Sequence, residues 1–178
     1  MSNTNHSIFS GLKIVAWVIF IGLCIEAGSL ILNFIFSMVN PDMVGDLYQK
    51  LDLRELREES EWAFFSMYSI ILSIAVVKAH LFYIVTQMMQ KIDLAKPFNR
   101  LVSKQISQIS YYALAAGLLS YLGRQSARNF EHKGFELDAV SHFWADSQAF
   151  ILMAAVIYVI AIIFSKGVDY QEELEETV

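Results

Sequence analysis

Four apolar stretches limit what this chain can become. They run roughly over residues 12–39, 63–89, 103–123 and 147–166. A helix that crosses a bilayer needs ~20 residues. The first two stretches exceed that length and would tilt or project beyond the lipid. The third is shorter and weaker, and the fourth has no charge between Ala149 and Phe164. In lipid every backbone N–H and C=O must be satisfied within the chain, so such segments are helices. The expectation is an all-α integral membrane protein, one domain over residues 1–178, with four transmembrane helices in an antiparallel bundle. Composition agrees: 56% of residues are hydrophobic and 17% charged, against ~45–50% and ~25% in soluble domains. The mean hydropathy is +0.45.

Other classes fall away. The net charge is −5 and no basic stripe is present, so direct nucleic-acid binding is not expected. Cys24 is the only cysteine, which rules out an intrachain disulfide. The first apolar run continues more than ten residues past Glu26, too long for the core of a signal peptide. Leu23 stands where a lipoprotein site would carry a small residue before its cysteine. The segment is therefore expected to stay as a span.

Four spans put both termini and the middle loop on one side. Lys and Arg residues are tied at six on each side. Density breaks the tie: Lys91, Lys96, Arg100 and Lys104 crowd the middle loop with one acid, Asp93. By the positive-inside rule that side is cytoplasmic. The expected location is a bacterial inner (cytoplasmic) membrane, multi-pass, with both termini in the cytoplasm. Residues 42–62 form the first outer loop. Pro41 suits a first helical position, and Met43, Leu47 and Leu51 recur at i+4. Strong charge follows, so the segment reads as an amphipathic, solvated helical extension, with a partner surface as the alternative. Phe130, Phe135, Phe143 and Trp144 in the last outer loop read as anchors at headgroup level.

Inside the first two stretches sit two charges. Glu26 lies 14 residues in from Leu12, and Lys78 lies 15 in from Ala63. An ionised side chain at mid-bilayer costs at least ~2.5–3.5 kcal/mol. Matched depth in an antiparallel hairpin lets the two meet, either as a static ion pair that fixes register or as a polar site for a proton, ion or small ligand. His80 is about 200° around the helix from Lys78 and is expected to turn toward the third or fourth helix. Asn33 and Gln87 read as packing or interfacial residues. No histidine pair has the i, i+4 spacing of a helical zinc site, and no phosphate loop or nucleophile elbow is present. No metal, cofactor or catalytic residue is expected, and the chain does not read as an enzyme. Small residues four apart, Ala113/Gly117 and Ala116/Ser120, permit close helix packing. They are too common in membrane helices to indicate a dimer, so a homo-oligomer is left open.

The ends of the last two spans carry a more specific pattern. Lys96-Pro97-Phe98-Asn99 joins spans two and three, with Asn99 placed to cap the third. The last span closes with Phe164-Ser165-Lys166-Gly167, where Gly167 reads as a helix terminator. An acidic tail follows over 168–178. The chain resembles the bacterial four-span membrane proteins grouped as domain of unknown function 2975. The resemblance rests on Pro97, Phe98, Phe164, Lys166, Gly167, Gln171, Glu172, Glu173, Thr177 and Val178. It departs at Leu174 and Glu176, where Asn and Leu are common. The resemblance implies no particular activity. The genes of such proteins often neighbour small helix-turn-helix regulators, which implies a cytoplasmic regulator as partner beside the lipid bilayer. The leading expectation is a non-enzymatic sensory or regulatory membrane partner of a cytoplasmic protein. The alternative is a small transporter or ion- or proton-coupled protein using Glu26 and Lys78.

Overall fold

The computed structural model describes residues 3–40, 53–92, 98–135 and 137–176. They form α1 (Asn3–Val39), α2 (Arg54–Glu59), α3 (Glu61–Lys91), α4 (Arg100–Glu131), a 3-10 helix (Asp138–Phe143) and α5 (Ser147–Glu176). No strand occurs among the described residues. The fold is all-helical, as the apolar runs require. Pro41 and the Met43, Leu47, Leu51 face lie outside the described residues, as do Pro97, Thr177 and Val178.

Helix starts are set by side chains. The Ser60 hydroxyl accepts from the Ala63 amide at 3.3 Å and opens α3. Asn99 accepts from the Leu101 amide at 2.7 Å and opens α4, the expected cap. Each oxygen satisfies a donor that the first turn leaves unpaired. The α3 start also divides the expected 42–62 extension: Ser60 is extended, and Glu61 and Trp62 already belong to α3.

Among the described residues three helices are long and apolar enough to cross a membrane: Ser7–Val39, Glu61–Lys91 and Val140–Leu174. These mark the chain as a membrane protein. The third expected span does lie within a helix, α4, but that helix falls short on apolar character. Ser103, Gln105, Ser107, Gln108 and Ser110 lower its average. The antiparallel four-helix bundle is also modified. α4 packs on both α3 and α5, whereas α1 packs chiefly against α3. Its remaining surface, including Ile14, Val15, Val18 and Ile25, is exposed apolar side chain, which suits contact with lipid.

The tightest contact joins α4 to α5. A β-carbon at position 117 would lie 2.6 Å from Ile151 Cγ1 and 3.0 Å from the Ile151 backbone nitrogen. Ala113, Ala116, Gly117 and Ser120 are all buried. The small-residue spacings thus serve packing within the chain. Ser110 adds a hydrogen bond across the interface to the Ala154 carbonyl at 2.9 Å.

The main core lies at the end where α1 finishes and α3 begins. Leu30 of α1, Leu53 just before α2, Leu56 within it, and Phe64, Met67, Tyr68 and Ile71 of α3 meet Leu137, Val140, Phe143 and Trp144 there. This corrects the loop readings. Phe143 and Trp144 are 2% and 5% exposed, so they are core residues, and Phe130 and Phe135 pack against the same core. The α2 segment is no free solvated extension either, because its leucines are buried. Two arginines fasten this end. Arg57 donates to the Ser37 carbonyl near the α1 terminus and stacks 5.8 Å over Phe64. A cation there complements the helix dipole. Arg124 donates to the Trp144 and Ala145 carbonyls at 2.9 and 3.1 Å.

Two glycines should therefore respond oppositely. Gly117→Ala overpacks the α4–α5 contact and should destabilise the protein by about 1–3 kcal/mol. Gly22→Ala meets nothing within 4 Å and should be neutral or stabilising by up to ~1 kcal/mol. Unfolding of each variant in detergent micelles measures both.

Candidate functional site

Two groups of candidate residues are placed by this fold, one within the apolar layer and one at the end bearing Phe98.

Within the apolar layer, ring contacts fix the register of α1 on α3. Phe34 packs against Phe64, Phe65 and Tyr68, and Phe20 against Tyr83. The two helices are antiparallel, and Glu26 falls level with Ala75 and Val76, within one turn of Lys78. The depth match expected from counting holds on this register. The expected ion pair is not formed. Lys78 Nζ instead lies 5.3 Å over the Phe150 ring of α5. Glu26 has no hydrogen bond or ion pair with any other described residue. The reason is azimuth. Lys78 sits roughly 80° around α3 from Tyr68, the residue that faces α1, so its side chain serves the α5 side. Both residues are half-buried.

His80 turns toward α4, as expected, and its ring lies 4.6 Å from that of Tyr112. Its partner is an aromatic face; no hydrogen bond joins the imidazole to another described residue. Gln87 donates to the Tyr83 hydroxyl at 2.7 Å. Asn33 is fully buried, and neither of its amide atoms has a hydrogen-bond partner among the described residues.

The second group unites parts of the sequence more than sixty residues apart. Phe98, just before α4, stacks on Phe164 of α5 with ring centroids 5.1 Å apart. It also fills the notch at Gly167, where a β-carbon would lie 2.7 Å from the Phe98 ring. Gly167 therefore does not end the helix: α5 continues through it to Glu176. Its missing side chain admits Phe98. The acidic tail is correspondingly a helical extension of α5 as far as it is described. Arg100, in the first turn of α4, donates to both oxygens of Glu172 at 2.6–3.2 Å. The same guanidinium lies 3.2 Å from Asp169. Gln171 and Glu173 stand on the same extension, and Lys166 is exposed one residue before the notch.

Bidentate Arg–carboxylate geometry is the stronger form of ion pair. Hydrogen bonds from Arg100 hold the Glu172 carboxyl below the ordinary carboxylate value, against some desolvation and with help from the guanidinium charge. Glu172, by its hydrogen bonds and then its charge, raises the Arg100 pKa further. Sequence reasoning had Phe98, Phe164, Gly167 and Glu172 as separate pattern residues and counted Arg100 only as a loop charge and Asp169 only as part of the acidic tail, without joining the two. The available signal was opposite charge at the start of one helix and the end of its neighbour. Nothing in this arrangement offers a nucleophile with a base, and no group of three or more potential metal ligands occurs among the described residues.

Residues 48–178 match the family described as Protein of unknown function (DUF2975). The match takes in α2 through α5 and leaves α1 outside. No curated protein and no solved structure matches the chain.

The Glu172 shift has a sign that can be checked. Its folded pKa lies below the unfolded value, so its contribution is fully present above the ordinary carboxylate pKa. That contribution is lost as pH falls through the lowered folded value. In Arg100→Gln, the Glu172 titration midpoint followed by NMR should rise toward that of an ordinary glutamate. An unmoved midpoint would show that the hydrogen bonds do not set it.

Proposed function

This chain belongs to the DUF2975 family, and we propose that it is a non-enzymatic regulatory membrane protein that docks a cytoplasmic partner. The observation that carries this reading is the clamp at the Phe98 end. Phe98 seated on Phe164 and Gly167, with Arg100 tied to Glu172 and Asp169, makes the start of α4 and the extension of α5 one surface. That surface presents Tyr170 and Leu174, both strongly exposed and one turn apart, among acidic side chains. Apolar anchors at i, i+4 on a charged helix are the form in which helices enter partner grooves.

The topology that goes with this reading has four spans in a bacterial inner membrane, with both termini and the clamp in the cytoplasm. The distribution of α4 side chains supports it. Ser103, Gln105, Ser110 and Ser120 are buried against neighbouring helices, whereas Tyr111, Leu114, Leu118, Tyr121 and Leu122 face outward. Average hydropathy counts every side chain as though it met lipid. Here four of the polar ones are buried, so α4 can cross despite its composition. The basic loop between α3 and α4 then obeys the positive-inside rule.

A second reading, a small transporter or ion-coupled protein, is favoured by one observation: Glu26 and Lys78 are level along the α1–α3 pair, yet neither forms an ion pair with another described residue, and Lys78 lies over the Phe150 ring instead. It requires that Glu26→Gln abolish a flux while the protein stays folded.

Docking is tested by purifying the full chain from native membranes beside a variant truncated after Tyr170 and the variant Tyr170→Ala/Leu174→Ala. Proteins recovered with the full chain should be lost from both. Recovery of the same proteins with all three would exclude this surface as the docking site.

A further inference from the structure

Charge is unevenly placed along this chain. It has 18 acidic and 13 basic residues. Five of the acids and none of the bases lie in residues 168–178, so the remainder is balanced at 13 of each. The net charge of −5 therefore belongs to residues 168–178, most of which form the extension of α5. Lys166, one turn before Tyr170, is the last base along α5. The extension is also the C-terminal end of a helix, where the backbone dipole is negative and acids are unfavourable. Like charges four residues apart, as at Asp169 and Glu173, add repulsion. Arg100 relieves part of this at Glu172 and Asp169. A positive surface brought to the extension would relieve more.

Azimuth sorts these residues. Successive positions advance about 100° around a helix. Tyr170 and Leu174, 65% and 70% exposed, form one line along the extension. Asp169 and Glu173, both exposed, form a second line about 100° to one side. Glu172 lies about 200° from Tyr170, on the face turned to Arg100. The outward face thus carries an apolar line with an acidic line beside it. It is helical already, so entering a groove orders little additional chain.

Sign selects among the occupants of such a face. Anionic lipid headgroups and nucleic acids carry the charge that the extension carries and are repelled. The same extension of a second copy is repelled too. An uncharged apolar groove would accept Tyr170 and Leu174 but desolvate the neighbouring acids without return. A protein groove with an apolar floor and Lys or Arg along one rim satisfies both lines. Resting on the docking reading above, we infer that the partner is a protein with such a groove, its basic rim laid against Asp169 and Glu173.

The test places the photoreactive residue p-benzoylphenylalanine at position 170 or 174 of the full-length chain in its native membranes. Adducts are mapped by mass spectrometry. The adduct should be with a protein, at an apolar segment flanked by Lys or Arg. Its yield should fall as NaCl rises from about 50 to about 500 mM, because exposed charges are then screened. Glu173→Lys should lower the yield about fivefold, the weight of one exposed ion pair. Exchanging the mapped Lys or Arg of the partner for Glu should restore it in that variant. An adduct at an acidic or uncharged protein surface, or a yield that Glu173→Lys leaves unchanged, would overturn the basic groove while docking stands. An adduct with lipid alone or with a second copy of this chain, or none at all, would overturn docking and this inference with it.

Discussion

The close approach of α4 to α5 is the contact on which the rest of the molecule depends. At Gly117 the helices come so near that a single added carbon would strike the Ile151 side chain at 2.6 Å and press on the α5 backbone at 3.0 Å. Close approach lets Ser110 reach the Ala154 carbonyl and buries Ser110 and Ser120 of α4. It also sets the relative height of the two helices. That height places Phe98, at the foot of α4, against Phe164 and Gly167, and Arg100 opposite Glu172 and Asp169. A shift of one turn, about 5.4 Å, would break both halves of the clamp together. Small-residue packing and the clamp are thus two readings of one register.

The opposite end is held by a different force. There the chain leaves the apolar layer, and burial of side chains in protein takes over from burial in lipid. Leu53, Leu56, Leu137, Val140, Phe143 and Trp144 close over the tops of α1, α3 and α4, with Arg57 and Arg124 satisfying carbonyls at the helix end and in the loop. Soluble-type packing at one end and a stapled pair of helices at the other leave α1 as the least embedded element, held along α3. The family match begins after α1, in line with a unit built from α2 to α5 to which α1 adds one more span.

How much of this was legible in the sequence follows from what each residue type reports. Apolar runs report depth, so the long helices, their order and the level of Glu26 with Lys78 could all be counted off. Asn99 reports a helix start, because its side chain does one local thing. Gly167 was misread for the converse reason. Glycine signals a missing side chain, and a helix end and a close contact both call for one; only Phe98, distant in sequence, distinguishes them. The aromatic residues of the last outer loop were ambiguous in the same way, since a ring beside a span can meet headgroups or a core, and buried Leu53 and Leu56 decide for the core. The third span was named from length, but whether its serines and glutamines face lipid or protein depends on the partner helix. Average hydropathy carries no such information.

Glu26 and Lys78 show the limit most clearly. Depth is one coordinate of a helical residue and azimuth is the other. Depth accumulates along the chain at 1.5 Å per residue, so errors stay small and two hairpin residues can be levelled by counting. Azimuth advances about 100° per residue, and its zero is fixed only by whichever neighbour the helix packs against. On α3 that zero is set twice, by Phe34 and Phe20 of α1 and by the contacts with α4 and α5. Lys78 falls in the share of α5, where Phe150 receives it. His80, two residues on, falls in the share of α4, where Tyr112 receives it. The same helix therefore directs a cation to one side and an imidazole to another. Sequence spacing could separate those two residues from each other, but not say which would meet a charge, a ring or the membrane.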